Sequence, residues 1–251
     1  MTYEISSGRS FVSLALDEMA YRLLRRLHKR THAQKRSAPP LFAPTTDLIT
    51  HRLIATGMFE RTQIEAVDAL LDERRDLIEK LSGSLDVFID VGANIGIYTT
   101  RYASQFKQVL AIEANPITFD VLRSNIALSQ ATNVSAACVG ASDSDGHLQL
   151  RFPRSGVMGG ASFDETRECN DCVVEVPVRP LDKIAQDLAP HTPVTLMKID
   201  VEGHEASVLR GARSILRQHK PVVLYEQLSR PAGVECAALL RDAGYEKFLA
   251  F

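Results

Sequence analysis

Residues 85–98 read LDVFIDVGANIGIY, and they predict a buried strand, a tight turn and a helix in succession. The run DVFIDV at residues 86–91 is short and mostly apolar, as expected for a strand that is covered on both faces. Gly92 then permits a tight turn, and Gly96 lets the strand and helix backbones pack closely. The amide groups of such a turn, and those of the helix N-terminus, face a ligand bound above them. Glycine turns after strands are common, so this pattern by itself does not identify the ligand.

Short apolar runs alternate with amphipathic segments from residue 85 onward. Strands separated by helices argue for a sheet wrapped on both faces, so we predict an α/β fold with a doubly wound, mostly parallel, Rossmann-like sheet. Such sheets bind ligands outside the carboxyl ends of their strands. The predicted strands are residues 86–91, 108–113, 134–139, 194–199, 221–226 and 245–251, with a hairpin at 147–152 and 172–178. The predicted helices are residues 95–105, 116–129, 181–188, 205–218 and 233–243.

Residues 1–82 form a predicted helical N-terminal extension, and residues 83–251 form the predicted ligand-binding domain. Apolar residues recur every three or four positions over residues 16–27, which predicts a helix there. Residues 21–36 hold seven Lys and Arg residues and no acid, which fits a solvated helix face or a surface for an acidic substrate or anionic lipid. We expect the extension to cover the substrate side of the domain or to form a dimer contact.

The overall composition excludes several classes of protein. The 29 Lys and Arg residues nearly balance the 31 Asp and Glu residues, which argues against a globally basic nucleic-acid-binding protein. The longest run without charge, residues 124–142, is rich in Ser, Asn, Gln and Thr, so we expect no transmembrane segment. We expect no secretory signal, because the first residues show no apolar core followed by a small-residue cleavage site. Four scattered cysteines are too few for a disulfide framework. We therefore expect a cytoplasmic location.

A glutamate at the end of the second predicted strand narrows the ligand class. Glu113 lies 17 residues beyond Gly96, where an acid can accept hydrogen bonds from the two hydroxyls of an adenosine ribose. A nicotinamide dinucleotide and S-adenosylmethionine both fit a glycine turn followed by an acid. A dinucleotide needs a Gly-x-Gly-x-x-Gly turn for its pyrophosphate, whereas this turn has Asn94 at the middle position and Asp90 at its mouth. Both features favour S-adenosylmethionine, whose sulfonium is cationic.

The candidate cofactor-binding residues lie at or just after the carboxyl ends of three predicted strands. We expect the adenine near the end of the third strand, around residues 140–143. A plain strand–turn–helix followed by a surface glutamate is the competing interpretation. The complete set of candidates is Asp90, Gly92, Ala93, Asn94, Gly96, Glu113, Ala114, Asn115, Ala141 and Ser142.

Residues 88–98 (FIDVGANIGIY) resemble the cofactor loop of the FkbM family of S-adenosylmethionine-dependent methyltransferases. Further motifs of that family follow in order: EANP at 113–116 with Leu122 and Asn125, LD at 181–182, and KIDVEGHE at 198–205 with Leu209 and Gly211. The resemblance covers about residues 85–245 and does not extend to the N-terminal segment. It implies a class I methyltransferase fold, S-adenosylmethionine as cofactor, and O-methylation of a hydroxyl on a sugar, a glycan or a small natural product.

Four polar residues at the ends of the next two predicted strands are the catalytic candidates: Asp200, Glu202, His204 and Glu226. The three carboxylates could bind Mg²⁺, which would hold and acidify the acceptor hydroxyl, so they are also the candidate metal ligands. They could instead bind acceptor hydroxyls directly, with His204 as the general base. They could also form a polar network that only holds the strand ends.

Three nearby features have further predicted roles. Lys198 is expected to pair with a neighbouring acid, and Glu205 is expected to cap the helix that it begins or to complement its dipole. The glycine-rich loop at residues 156–163 could close over the substrate or cofactor, with Ser162 bonding to either.

The sequence shows no evident pattern for the final antiparallel strand that is usual in this fold class. The 147–178 hairpin could close that edge of the sheet, or a second subunit could pair with it in a homodimer.

Residues 200–203 also indicate the chemical class of the acceptor. Base-methylating enzymes of this fold typically have two prolines and an aromatic residue where residues 200–203 here read DVEG. We therefore expect a small-molecule or glycan acceptor and no nucleic acid. A nicotinamide-dependent oxidoreductase and a cofactor-binding module without catalysis are the alternatives.

Overall fold

The computed structural model describes residues 41, 43, 49, 59–81, 85–153, 160–164, 169–190, 192–227, 229–246 and 248. The first elements in chain order are helix α1 (Arg61–Leu81), strand β1 (Leu85–Val91), helix α2 (Ile97–Tyr102) with a 3₁₀ turn at Ala103–Gln105, strand β2 (Phe106–Glu113), helix α3 (Pro116–Ser129) and strand β3 (Val134–Cys138). Next come strands β4 (Gly140–Ser142), β5 (Gly146–Pro153) and β6 (Cys169–Pro180). The last elements are helix α4 (Leu181–Leu188), strand β7 (Val194–Ile199), helices α5 (Glu205–Gly211) and α6 (Arg213–Gln218), strand β8 (Val222–Tyr225) and helix α7 (Arg230–Asp242).

Five parallel strands form the central sheet in the order β3-β2-β1-β7-β8. Successive side chains of β1 point to opposite faces of this sheet. Val87, Ile89 and Val91 pack with residues of α4 to α7, whereas Phe88 packs with residues of α1 and α2. Both faces are therefore covered by helices, which confirms the predicted doubly wound, mostly parallel α/β fold. The strand order reverses between β1 and β7, so a ligand crevice is expected at their carboxyl ends.

Helix α1 shares its core with the sheet. Ile64, Val67 and Leu71 recur at helical spacing and are buried in the same cluster as Phe88. The domain boundary after residue 82 stays a prediction, and the helical and basic patterns over residues 16–36 lie outside the described residues. No helix in the described part of the chain is both long and apolar enough to cross a lipid bilayer.

The single helix predicted over residues 205–218 is wrong, because the chain forms α5 and α6 with a break at Ala212. The carboxylate of Asp182 accepts hydrogen bonds from the amides of Ser214 (2.8 Å) and Ile215 (3.0 Å). These bonds satisfy two amides at the start of α6 that have no partner within the helix. The helical pattern of the sequence does not show this break, because the cap comes from a residue on α4.

Strands β5 and β6 form the predicted antiparallel pair, but this pair does not close an edge of the central sheet. Strand β6 instead pairs in parallel with β4, and the three strands form a second sheet in the order β4-β6-β5. Within the described ranges, β3 and β8 are the two edges of the central sheet. The hairpin is thus paired with the short strand β4 and with neither edge of the central sheet.

The predicted last strand over residues 245–251 is also wrong for its described residues. Tyr245, Glu246 and Phe248 have no strand structure, and the other residues of that range lie outside the described part. Gly244 has φ +87° and turns the chain, and the hydroxyl of Tyr245 donates to the carbonyl of Pro221 (2.8 Å). The chain is thus tied to the start of β8 and does not add a strand.

Replacing Gly211 by Ala tests the packing of α5 against the second sheet. A Cβ at this position would lie 1.8 Å from the carbonyl oxygen of Ser142, which is a backbone atom of β4. We expect Gly211→Ala to lower the free energy of unfolding by about 1–3 kcal/mol, measured by urea denaturation. Gly146→Ala is the control, because its Cβ would contact only Val178, at 4.0 Å. Equal free energies for the two variants would contradict this packing.

Candidate functional site

A cavity of about 340 Å³ lies at the carboxyl ends of β1, β2 and β7, where the strand order reverses. The described lining also includes residues of β4, of the connection between β5 and β6, and of the segment that begins α1. Ile49, Thr118, Leu150 and Glu226 belong to it as well. The lining includes eight residues from the predicted set, namely Gly92, Asn94, Glu113, Ala114, Ala141, Asp200, Glu202 and Glu226. The cavity is therefore at the predicted place in the fold.

The turn after β1 has the backbone conformation that its glycines predict. Gly92 has φ +74° and Gly96 has φ +89°. A Cβ on Gly92 would lie 1.8 Å from the carbonyl oxygen of Asp200, so the turns after β1 and β7 touch at this glycine. Asn94 has φ +51°, in the left-handed region that asparagine tolerates. The buried Oδ1 atom of Asn94 has no hydrogen-bond partner among the described residues.

The carboxylate of Glu113 holds this turn from the end of β2. Its Oε2 atom accepts from the amide of Asn94 and its Oε1 atom accepts from the amide of Asn115, each at 2.8 Å. Burial raises the pKa of Glu113 to about 7, although these two hydrogen bonds favour the ionised form. The side chain lines the cavity next to Ala114, so it is placed to contact a ligand there.

Several predicted cofactor residues lie beside the cavity and are not among its described lining residues. Asn115 caps α3, because its Oδ1 atom accepts from the amide of Ile117 (3.1 Å). Gly96 is packed against Leu122, which a Cβ would approach to 2.7 Å. The amide of Ala93 donates to the carbonyl of Ile112 (3.0 Å). These contacts shape the turn, and the cofactor-binding role of these residues stays a prediction.

A buried ion network joins β1 to β7 next to the cavity. The ammonium nitrogen of Lys198 is 3.0 Å from Asp200 Oδ2, 3.9 Å from Asp90 Oδ1 and 4.9 Å from the ring centroid of Tyr98. Thr99 donates a hydrogen bond to Asp90 Oδ2 at 2.6 Å. Burial alone would lower the pKa of Lys198, but the surrounding carboxylates raise it above its ordinary value. The expected pairing of Lys198 with a neighbouring acid is confirmed.

Glu60 is a site residue that the sequence did not indicate. It directly precedes α1 and lines the cavity with Phe59 and Gln63 of the same segment. Its carboxylate accepts a hydrogen bond from the hydroxyl of Tyr98, and burial raises its pKa. No motif surrounds Glu60, and only the packing of α1 on the sheet brings it to this cavity.

Three further carboxylates line the cavity at the ends of β7 and β8. Asp200, Glu202 and Glu226 each place an oxygen within 4.8 Å of the others. Glu202 has φ +54°, and its turn is held by Glu205, whose Oε1 atom accepts from two amides of that turn (3.1 and 3.2 Å). Burial, followed by the charges of Asp200 and Glu202, raises the pKa of Glu226 to about 7. Such a group can bind a cation or accept hydrogen bonds from hydroxyl groups.

His204 and Ser142 contact each other behind this group. The Nε2 atom of His204 is 3.0 Å from Ser142 Oγ, and its ring stands edge-on to Phe163 with the centroids 5.1 Å apart. Burial lowers the pKa of His204. Neither His204 nor Ser142 is among the described lining residues. Asp143, at the predicted adenine position, pairs with Arg210 at 3.2 Å.

The glycine-rich loop is described only from Gly160 onward, and its earlier residues lie outside the described part. Ser162 is buried, and its hydroxyl donates to the carbonyl of Glu202 at 2.5 Å. The expectation that Ser162 would bond to substrate or cofactor is therefore replaced by a structural role. This bond places Gly160, Ala161 and Phe163 along the cavity wall.

Residues 90–247 match the protein family described as the methyltransferase FkbM domain. The methyltransferase sdnD of Sordaria araneosa is 28% identical over 192 residues, which are 63% of this chain and 73% of that protein. The hexuronic acid methyltransferase AglP of Haloferax volcanii is 30% identical over 139 residues, and the match covers 55% of each chain. This chain thus spans about half the length of AglP. The crystal structure of a methyltransferase FkbM from Methylobacillus flagellatus KT aligns with a TM-score of 0.46 and 23% identity, over 63% of this chain and 37% of that one.

Glu113→Gln tests the burial of this carboxyl group through the pH dependence of stability. Because its pKa rises from 4.5 to about 7 on folding, the folded protein binds a proton more readily than the unfolded chain. The free energy of unfolding should therefore fall as the pH rises from 4.5 to 7, by at most about 1.4 kcal/mol per pH unit from this group. Urea denaturation at several pH values should show a shallower fall in Glu113→Gln than in the unmodified protein. The exposed Glu175→Gln is the control, and equal slopes in all three proteins would contradict the burial of Glu113.

Proposed function

The chain belongs to the FkbM methyltransferase family, and we propose that it transfers a methyl group from S-adenosylmethionine to a hydroxyl group of a sugar, a glycan or a small natural product. The position of Glu113 carries this proposal. Its carboxylate ends β2, lines the cavity and bonds to the amide of Asn94 in the glycine turn. A carboxylate has about four acceptor positions, so about two remain for the hydroxyls of the adenosine ribose.

The remaining cofactor contacts follow from the lining of the cavity. Gly92 lines the cavity at the turn, and Asn94 offers a buried oxygen that has no partner among the described residues. A buried acceptor of this kind is expected to meet a hydrogen-bond donor of the ligand. Gly140 and Ala141 line the part of the cavity where we place the adenine.

The charge of the cavity supports S-adenosylmethionine over a nicotinamide dinucleotide. Asp200, Glu202 and Glu226 line it together with Glu60 and Glu113. A sulfonium ion and an ammonium group are attracted by such carboxylates, whereas a pyrophosphate is repelled by them. The oxidoreductase alternative is therefore disfavoured by the electrostatics of the site.

In the proposed reaction, the acceptor oxygen attacks the methyl carbon while the bond between that carbon and sulfur breaks. S-adenosylhomocysteine leaves, and the hydroxyl proton passes to a carboxylate of the protein. Glu226 is the proposed proton acceptor, because it lines the cavity and its pKa of about 7 suits proton uptake near neutral pH. Asp200 and Glu202 would orient the acceptor hydroxyls. His204 is assigned a positioning role, since its Nε2 atom contacts Ser142 outside the lining.

A divalent metal is the competing role for the same carboxylates. Asp200, Glu202 and Glu226 offer the oxygen ligands that Mg²⁺ prefers, and their convergence within 4.8 Å fits such an ion. When bound, Mg²⁺ would supply a positive charge that acidifies the acceptor hydroxyl. We propose the direct role for these carboxylates, because hydrogen bonds to hydroxyl groups and proton uptake require no further component.

The acceptor class is proposed on two grounds. One relative is named for methylation of a hexuronic acid, which is a sugar. The DVEG turn at residues 200–203 lacks the prolines and the aromatic residue that would hold a flat base. A small-molecule or glycan acceptor is therefore proposed, with no nucleic-acid substrate. A cytoplasmic location and a homodimer stay predictions.

The assignment of Glu113 to the ribose is tested by calorimetry with S-adenosylhomocysteine. Glu113→Gln loses charge-assisted hydrogen bonds and should weaken binding by about 10- to 100-fold. Glu202→Gln is the matched variant: it should keep nearly the same affinity and lower the rate of methyl transfer. Unchanged binding in Glu113→Gln would contradict this assignment. Tight binding of NAD with no binding of S-adenosylhomocysteine would contradict the proposed function as a whole.

Treatment with EDTA separates the two roles of the carboxylate group. If Asp200, Glu202 and Glu226 act directly, methyl transfer should keep its full rate after chelation and gain nothing from added Mg²⁺. The measurement is the release of S-adenosylhomocysteine with a panel of sugar acceptors. Loss of the rate with EDTA and its recovery with Mg²⁺ would establish the metal role instead.

A further inference from the structure

We infer that this cavity selects acceptors that carry a positive charge, such as amino sugars, over acceptors that carry a carboxylate, and that Glu60 is one of the residues that make this selection. The inference rests on the proposed function, because it concerns the acceptor that shares the cavity with S-adenosylmethionine. It goes further by stating the charge of that acceptor and by assigning a role to the segment before α1.

Glu60 lies outside residues 90–247, the part of the chain that matches the family. Its carbonyl oxygen accepts a hydrogen bond from the amide of Ile64 (2.9 Å), which places Glu60 directly at the start of α1. The buried face of α1 packs on the sheet through Ile64 and Val67, so this end of the helix is held at the cavity. The carboxylate of Glu60 is thus a built part of the lining and bonds to the hydroxyl of Tyr98.

Negative charge dominates the described lining. Glu60, Glu113, Asp200, Glu202 and Glu226 all belong to it, and no Lys, Arg or His does among the residues that the structure describes. Lys198, which lies next to the cavity, is itself engaged by Asp200 at 3.0 Å and by the buried Asp90 at 3.9 Å. The single positive charge of Lys198 therefore does not neutralise the carboxyl groups of the lining.

The cofactor removes only part of this excess. S-adenosylmethionine carries one net positive charge, and Glu113 is assigned to its uncharged ribose. The carboxyl groups of Glu60, Asp200, Glu202 and Glu226 line the same cavity and outnumber this single charge. An ammonium group on the acceptor gains from this field, whereas a carboxylate is repelled by it. The H. volcanii relative is named for an acidic sugar, and the carboxylates of this cavity favour an acceptor of the opposite charge.

Three probes that differ only at carbon 6 test the inference: methyl 6-amino-6-deoxyglucoside, methyl glucoside and methyl glucuronide. Their dissociation constants are measured by NMR titration at pH 7 on the full chain saturated with S-adenosylhomocysteine, in EDTA. The amino sugar should bind at least about tenfold tighter than the glucuronide, with the neutral sugar between them. The ratio of the dissociation constants of the glucuronide and the amino sugar should fall at least about threefold in Glu60→Gln, since one charge of the lining is removed. Glu175→Gln, at an exposed position of β6, should leave this ratio unchanged.

The outcomes of this experiment separate the inference from the proposed function. Failure of S-adenosylhomocysteine to bind counts against the proposed function itself. If it binds, equal or tighter binding of the glucuronide overturns the inference, as does the absence of binding by all three sugars. If the affinity difference between the amino sugar and the glucuronide is unchanged in Glu60→Gln, Glu60 does not contribute to the selection. Should Glu60→Gln fail to fold, as judged by circular dichroism, Glu202→Gln replaces it and must reduce the affinity difference in the same way.

Discussion

The site depends on the ion pairs that the buried ammonium group of Lys198 forms with Asp200 and Asp90. Lys198 and Asp90 are direct neighbours across the parallel pair of β7 and β1, and Asp200 follows on the same strand end. Burying a lysine is unfavourable unless carboxylates surround it, and removing one partner of a buried ion pair typically costs about 3–5 kcal/mol. The network therefore fixes the two strand ends relative to each other. Because the carbonyl of Asp200 also touches the turn at Gly92, the glycine turn and the carboxylate group are held as one unit.

Other parts of the protein hold the main polar groups of the cavity beside this network in place. Glu113 is held by two backbone amides, and the turn of Glu202 is held by Glu205 and by Ser162. Preformed groups of this kind lose little conformational entropy when a ligand binds. The same arrangement concentrates carboxylates around one small volume, which favours cationic ligands, and burial raises the pKa of Glu113 and of Glu226 to about 7. Methyl transfer from a sulfonium ion is consistent with such a field.

Sequence reasoning succeeded where a function requires a local pattern. The tight turn after β1 needs glycine, and the acid after β2 follows at a spacing that one strand and one helix determine. It failed where distant segments decide the outcome. The helix over residues 205–218 is broken by a cap from Asp182, and the β5–β6 hairpin pairs with β4 and not with the edge of the central sheet. Both contacts join segments far apart in the chain, so neither leaves a periodic signal.

By itself, the sequence determined the doubly wound fold, the FkbM family and the turn that carries Gly92 and Asn94. These depend on hydrophobic periodicity and on backbone conformations that few residue types adopt. Only the tertiary structure decided which polar residues share the cavity. It left His204 and Ser142 outside the described lining to which Asp200, Glu202 and Glu226 belong, and it added Glu60 from a segment with no recognisable motif. The physical reason is that a side chain reaches a site through the packing of its whole element, and that packing is set by contacts with residues distant in the chain.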